Sequence, residues 1–213
     1  AAGYRASTLG VFLEREGAAD RPASAGWYND LALRRELHRA DIYAESVNGD
    51  AFADTVKDQV TEMVRRDLHP LDLVIYSLAA PRRKHPDTGP LHLSVSKPNA
   101  APFRSKSVDT RSGSVSETTL TPATDDEVVD TVAVMGGDDW QRWITHLANA
   151  GVLAQGVTTL AYSYIGLRLT WPIYHQGTIG RAKSDLAARA RSISALLRPL
   201  AGQALVSVNQ AVV

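Results

Sequence analysis

Short apolar runs alternate with amphipathic segments over the first 78 residues, and this order constrains the fold more than any other feature of the sequence. The apolar runs predict strands over 8–13, 43–47 and 71–78. Apolar residues at three- and four-residue spacing predict helices over 27–40 and 51–68. Strands joined by single helices favour parallel pairing with right-handed crossovers. We therefore expect an α/β fold built on a doubly wound parallel sheet.

The alternation resumes after an interruption over 80–122. That segment holds six prolines and several turn signals, so it predicts one or two β-hairpins that leave the main sheet. Beyond it the pattern predicts helices over 124–135, 140–150 and 177–200 and strands over 158–164 and 204–208. A Thr124-x-x-Glu127 sequence matches a capping box at the first of these helices. We expect residues 1–213 to form a single Rossmann-like domain that is incomplete at both ends.

Charge and composition exclude several classes of partner. Lys and Arg number 23 and so do Asp and Glu, so the chain has no net positive field to attract nucleic acid or an anionic membrane. The absence of cysteine removes disulfides, thiolate metal sites and a cysteine nucleophile, and it fits a reducing compartment. No histidine pair has the i, i+4 spacing of a helical metal site. We expect a cytoplasmic protein without a metal, nucleic-acid or membrane partner.

Three strand ends carry residue types suited to a nucleotide. In a doubly wound sheet, ligands lie beyond the carboxyl ends of the strands. Leu13-Glu14 places a carboxylate where it can accept hydrogen bonds from both ribose hydroxyls of an adenosine, Asp50-Ala51 can reach an adenine amine, and Leu78-Ala79 allows close approach to the backbone. The alternatives are a surface Glu, an N-capping Asp and an ordinary strand end.

One element of a dinucleotide site is missing from the sequence. No G-x-G-x-x-G segment follows a strand, and Gly136-Gly137 lies between two predicted helices. The phosphate loop normally follows the first strand of such a sheet, and a strand ending at an acidic residue like Glu14 is normally the second. We therefore expect the loop and its strand to precede Ala1.

Tyr174 and Lys183 form the candidate catalytic pair. Nine positions on one unbroken helix advance by about 900°, which would put the two side chains on opposite faces. They can meet only if the helix begins after Tyr174. Gly177 permits that start, which leaves Tyr174 on the preceding loop and Lys183 within the helix. A phenol beside an ammonium group can donate a proton or a hydrogen bond to a developing enolate. The alternatives are a buried structural Tyr and a solvated Lys.

Eight strings of the sequence together resemble the trans-2-enoyl reductase family of the FabV type. They are LGVFLER, AGWYND, NGDAFAD, LDLVIYSLAAPRRKHPDTG, VAVMGGDDWQRWI, AGVLAQG, AYSYIG and IYHQGTIGRAK. Members of this family are single-chain, enlarged relatives of the short-chain dehydrogenases that reduce enoyl-CoA or enoyl-acyl carrier protein with NADH. The resemblance covers this whole chain but only the middle half of a family member.

The resemblance implies a role for each matched residue. Tyr174 matches the proton donor of a Y-x8-K motif, Lys183 the residue that binds the nicotinamide ribose and steadies the Tyr, and Tyr164 a second Tyr that contacts the substrate. The remaining matches concern NADH: Leu13 and Glu14 at the adenosine ribose, Asp50 and Ala51 at the adenine, Leu78 and Ala79 at the middle of the cofactor, and Val212 and Val213 near the nicotinamide.

The resemblance implies reduction of the C2–C3 double bond of a trans-2-enoyl thioester in fatty acid synthesis. The partner is then enoyl-CoA or enoyl-acyl carrier protein, and the protein is expected to be a monomer. The triplet Arg82-Arg83-Lys84 is either a basic patch that meets phosphates or carrier-protein carboxylates, or a solvated loop. Two rival functions stay open: a nonenzymatic nucleotide-binding module, and an alcohol or ketone oxidoreductase of the short-chain type.

Overall fold

A computed structural model describes residues 5–210 of the chain. Its strands are β1 (Thr8–Phe12), β2 (Ala44–Asn48), β3 (Leu71–Tyr76), β4 (Arg82–Lys84), β5 (Leu91–Leu93), β6 (Phe103–Val108), β7 (Val115–Leu120), β8 (Leu153–Ile165) and β9 (Gln203–Gln210). Its α-helices are α1 (Ala25–Arg39), α2 (Asp54–Met63), α3 (Asp125–Met135), α4 (Asp138–Asn149), α5 (Trp171–Tyr174) and α6 (Thr178–Leu196). Two compact units result: unit 1 comprises 5–71 and 149–153, and unit 2 comprises 72–148 and 154–210.

Unit 1 contains a parallel pair of strands and two helices. β1 pairs with β2 in a register that runs from Thr8 opposite Ala44 to Phe12 opposite Asn48. α2 continues as a π-helical turn over Val64–Leu68. Apolar residues at helical and strand spacing are buried together, as the sequence pattern predicts; they include Leu37, Ile42, Ala44, Val47, Phe52, Val56, Val60 and Val64.

Unit 2 contains a three-stranded sheet in the order β3-β8-β9, with β8 and β9 parallel. The predicted apolar face of α4 is confirmed, since Trp140, Trp143, Ile144 and Leu147 are all buried. The capping box is also confirmed: the Thr124 hydroxyl accepts from the Glu127 amide, and the Glu127 carboxylate accepts from the Thr124 amide. Gly136 and Gly137 form the turn between α3 and α4, where the Gly137 amide donates to Asp185 of α6 at 2.8 Å.

The strand pairing is that of a doubly wound fold, although the sequence pattern alone had suggested one continuous series. In the common order 3-2-1-4-5-6, successive strands along the chain are not always neighbours. If β1 is counted as the second strand, the β2–β1 pair corresponds to the run 3-2 and the sheet β3-β8-β9 to the run 4-5-6. Each sheet taken by itself therefore has the neighbours that this fold requires.

The segment over 80–122 contains two antiparallel hairpins, β4–β5 and β6–β7. Arg83 points to the opposite face of β4 from Arg82 and Lys84 and is 1% exposed. Its guanidinium donates to the Ala133 carbonyl and to the Asp138 carboxylate, both at 2.8 Å. The interpretation of the basic triplet as one exposed patch is therefore wrong for Arg83. Among the described residues, no helix combines the length and apolarity needed to cross a bilayer.

Candidate active site

Three of the predicted site residues lie together in unit 2. Tyr164 is near the end of β8, Tyr174 is the last residue of α5, and Lys183 is in the second turn of α6. The rings of Tyr164 and Tyr174 are 5.9 Å apart between centroids. The Lys183 ammonium donates to the Tyr164 carbonyl oxygen at 2.6 Å and lies 3.9 Å from the centroid of the Tyr164 ring. The sequence-predicted catalytic pair thus meets the second Tyr in one cluster.

Partial burial sets the electrostatics of this cluster. Burial raises the pKa of the Tyr164 phenol, and the nearby Tyr174 phenol adds to the rise because two phenolates would repel each other. Burial lowers the pKa of the Lys183 ammonium, because removal from water disfavours the charged form. The cation over the ring face offsets part of that cost through a cation–π contact. The cluster therefore offers phenol hydroxyls and one ammonium group as donors.

The helix is broken between Tyr174 and Lys183, as the spacing predicted. α6 begins at Thr178, with Gly177 as its N-cap, so the long helix does start after Tyr174. Tyr174 itself ends a separate four-residue helix, α5, whereas the sequence predicted a loop. Pro172 lies in the first turn of α5, where its missing amide costs nothing and its fixed φ favours a helix.

Two glycines let α5 pack against the start of α6. A Cβ atom at Gly177 would lie 2.5 Å from the Ile173 carbonyl oxygen, and one at Gly180 would lie 2.5 Å from the carbonyl carbon of His175. Both distances are too short for a real side chain, and both neighbours are backbone atoms that cannot rotate away. Glycine at these two positions therefore sets how closely the Tyr174 segment approaches the helix that carries Lys183.

An irregular segment after β5 supports the same turn. The buried Thr178 hydroxyl donates to the Val95 carbonyl at 2.5 Å and accepts from the Lys97 amide at 3.2 Å. The Asn99 carboxamide donates to the Gln176 carbonyl at 2.8 Å. Sequence reasoning missed these supporting residues because they are separated from the turn by about 80 positions. The local signal in the sequence was Gly177, which marks the break before α6 but does not point to its distant partners.

Glu14 lies at the carboxyl end of β1 in unit 1. Its amide donates to the Asn48 side-chain oxygen at 2.9 Å, and its carbonyl accepts from the Asn48 side-chain nitrogen at 2.9 Å. Its carboxyl group rests against Gly26 of α1, where a Cβ atom would lie 2.5 Å from the Glu14 carboxyl carbon. The preceding Leu13 is 72% exposed. Glu14 is half-buried and held at the edge where a doubly wound sheet binds its ligand.

The Asp50-Ala51 segment is a tight turn and not a helix cap. α2 begins only at Asp54, with Ala53 as its N-cap, so the interpretation of Asp50 as an N-capping residue is wrong. The Asp50 carboxylate instead accepts from the Phe52 amide at 3.0 Å, which is the Asx geometry that turns favour. Lys57 stabilises the turn from the buried side. It is 1% exposed, and its ammonium donates to the carbonyls of Ala51 and Phe52 at 3.1 and 2.9 Å.

The other cofactor residues predicted from the sequence have simpler surroundings. Leu78 and Ala79 follow β3 in an irregular stretch, with Leu78 half-buried and Ala79 exposed. Val212 and Val213 lie outside the described residues. Within the described part of the chain, no group of three or more His, Asp and Glu side chains is placed to hold a metal ion.

Comparison with known proteins identifies the family. Residues 21–213 match the family model described as the trans-2-enoyl-CoA reductase catalytic region. The chain belongs to this family. An enoyl-acyl-carrier-protein reductase (NADH) of Opitutus terrae is 51% identical over 211 residues, which cover 99% of this chain and 54% of the relative. A trans-2-enoyl-CoA reductase (NADH) of Ruminiclostridium cellulolyticum is 48% identical, with 99% of this chain and 53% of the relative covered.

A solved structure of the family has the same fold. The crystal structure of Treponema denticola trans-2-enoyl-CoA reductase in complex with NAD has a TM-score of 0.95 and 44% identity, with 99% of this chain and 52% of that chain covered. This likeness confirms the predicted Rossmann-like α/β fold and the predicted family resemblance. The chain spans about half the length of the curated relatives it matches.

Proposed function

We propose that the protein reduces the C2–C3 double bond of trans-2-enoyl thioesters with NADH, as a step of fatty acid synthesis. The observation that carries this proposal is the cluster of Tyr164, Tyr174 and Lys183 at the carboxyl end of β8 and the start of α6. Membership of the trans-2-enoyl-CoA reductase family supports it. The substrate is an enoyl group carried on coenzyme A or on acyl carrier protein, since relatives of both names match the chain, at 51% and 48% identity.

Unit 1 carries groups that suit an adenosine, and unit 2 carries groups that suit a nicotinamide ribose. In unit 1, the half-buried Glu14 carboxylate can accept hydrogen bonds from a ribose diol, and its charge disfavours a 2′-phosphate at the same position. The Asp50-Ala51 turn can contact an adenine. In unit 2, the Lys183 ammonium can donate to the nicotinamide ribose, and the small Ala79 permits close backbone approach. When bound, NADH supplies the hydride that C3 of the substrate receives.

Tyr174 is proposed to act on the thioester carbonyl. As negative charge develops on the C1 oxygen, the phenol donates a hydrogen bond or a proton to it, which lowers the barrier by stabilising the enolate. Tyr164 contacts the substrate beside it. Lys183 donates to the Tyr164 carbonyl at 2.6 Å and places a positive charge over the Tyr164 ring. A proton is then delivered to C2, so that one hydride and one proton saturate the double bond.

The direct test incubates the intact protein with crotonyl-CoA and NADH and follows the loss of NADH absorbance. We expect crotonyl-CoA to be reduced, NADH to be preferred over NADPH, and simple ketones and aldehydes to be inert. Reduction of ketones without reduction of crotonyl-CoA would favour the short-chain oxidoreductase. Binding of NADH without turnover of either substrate class would favour a nonenzymatic nucleotide-binding module.

A further inference from the structure

Asn48 joins the two strand ends of unit 1. It is the last residue of β2 and lies opposite Phe12, the last residue of β1. The Gly49 amide donates to the Phe12 carbonyl at 2.8 Å, which completes the backbone ladder. Beyond that point the Asn48 carboxamide replaces the backbone as the partner of β1. Its oxygen accepts from the Glu14 amide and its nitrogen donates to the Glu14 carbonyl, both at 2.9 Å. One side chain thus pairs both backbone groups of Glu14.

This pairing fixes the backbone from which the Glu14 side chain extends. A backbone amide and carbonyl held by the same planar group have little freedom to rotate, so the direction of the Glu14 Cα–Cβ bond is set from β2. From there the carboxyl group lies against Gly26, where a Cβ atom would come within 2.5 Å of its carbon. No other residue type at 26 leaves that space open without moving the carboxylate.

We propose that Asn48 is a positioning residue for cofactor selectivity, acting through Glu14. The inference rests on the proposed function, in which the Glu14 carboxylate accepts hydrogen bonds from the adenosine ribose of NADH and repels the 2′-phosphate of NADPH. Without the Asn48 carboxamide, Glu14 becomes free to turn toward water, and the carboxylate is lost from the position where it distinguishes the two cofactors. Asn48 itself contacts neither the thioester nor the reacting atoms.

The variant that removes both hydrogen bonds is Asn48→Ala. Loss of two hydrogen bonds to an exposed loop is expected to lower the ratio of kcat/KM for NADH over NADPH by about tenfold. The loss is expected in KM for NADH, while kcat at saturating NADH stays within about twofold, because Tyr174 and Lys183 are untouched. Asn48→Gln, which keeps the carboxamide but displaces it by one methylene, is expected to act in the same direction.

The test is a double-mutant cycle on the intact protein, with crotonyl-CoA as substrate and both cofactors measured. Glu14→Ala is expected to remove the preference for NADH, measured as the ratio of kcat/KM for NADH over NADPH. In that background Asn48→Ala is expected to leave the ratio unchanged. Gln59→Ala, which removes an exposed carboxamide from α2, is the matched control and should leave the ratio unchanged. A general loss of folding would lower kcat with both cofactors and leave their ratio intact, so the ratio isolates the positioning role.

The outcomes separate the two proposals. If the unaltered protein does not reduce crotonyl-CoA with NADH, the proposed function is wrong. If it does, and Glu14→Ala removes the preference while Asn48→Ala and Asn48→Gln leave the ratio within about twofold of its original value, the inference about Asn48 alone is overturned.

Discussion

Replacing Gly180 with alanine is expected to disable catalysis by moving Tyr174. A Cβ atom there would start 2.5 Å from the carbonyl carbon of His175 and closer still to its oxygen, whereas real Cβ atoms essentially never come within 3.0 Å of another atom. The His175 backbone must therefore retreat by about half an ångström or more, from 2.5 to at least 3.0 Å. Because His175 directly follows Tyr174, the phenol moves with it.

The expected magnitude follows from the sensitivity of catalysis to geometry. A misplacement of about 1 Å can cost about a hundredfold in rate, so a shift of half that size or more predicts a fall in kcat of about ten- to a hundredfold. On an open helix surface the same substitution would stabilise the protein by up to about 1 kcal/mol, because alanine has the better helix propensity. A loss of activity would therefore come from the contact with His175 and not from the helix.

The assay is NADH-dependent reduction of crotonyl-CoA by the intact protein, with NADH affinity measured separately by fluorescence titration. NADH affinity is expected to change little, because the proposed adenosine contacts lie in unit 1 and the substitution lies in unit 2. Most of the effect should therefore lie in kcat. Gly17→Ala is the matched control, because a Cβ atom there meets its nearest neighbour at 3.5 Å, an ordinary contact. A kcat for Gly180→Ala within about threefold of the unaltered protein would refute the claim that this close approach positions Tyr174.

Two further perturbations test the cluster and unit 1. Lys183→Ala is expected to weaken NADH binding and turnover together, since its ammonium is proposed to serve both the ribose and the tyrosines. NADH titration and kcat measured on the same variant check this. Unchanged NADH affinity would favour a merely solvated lysine. Hydrogen bonds from Arg66 and Tyr43 lower the pKa of Asp67 to about 2, so its contribution to stability is complete above its ordinary pKa and is lost as the pH falls from about 4 toward 2. Asp67→Asn should therefore flatten the decline of thermal stability over that acid range, and an unchanged decline in melting scans would contradict this.

The alternation of strands and helices was predictable because it depends on local patterns. Thr124 and Glu127 signal a helix start through their own spacing, and the buried face of α4 follows from the positions of Trp140 and its neighbours. The spacing of Tyr174 and Lys183 forced a break in the helix between them, and α6 begins where Gly177 allowed it. These features needed no knowledge of distant contacts.

The supports of the site were not predictable in the same way. The local sequence around Asn48 does not point to Glu14, and only the pairing of β1 with β2 shows that its side chain reaches Glu14, 34 positions away. A lysine on an amphipathic helix is usually solvent-facing, yet the Lys57 ammonium is buried and donates to the Phe52 carbonyl next to the Asp50 turn. Arg83 lies on the opposite face of β4 from its basic neighbours, because side chains alternate along a strand. The sequence did not show this, since the three-residue run was not recognised as a strand.

The most direct test of the proposed chemistry is the turnover of Tyr174→Phe in the intact protein, with crotonyl-CoA and NADH. Loss of the hydroxyl removes the proposed donor to the enolate oxygen while it keeps the ring that packs 5.9 Å from Tyr164. We expect kcat to fall by about a hundredfold or more, with NADH affinity nearly unchanged, which is the scale of a lost general acid or oxyanion donor. Turnover within about threefold of the unaltered protein would contradict the assignment of Tyr174 as the catalytic donor.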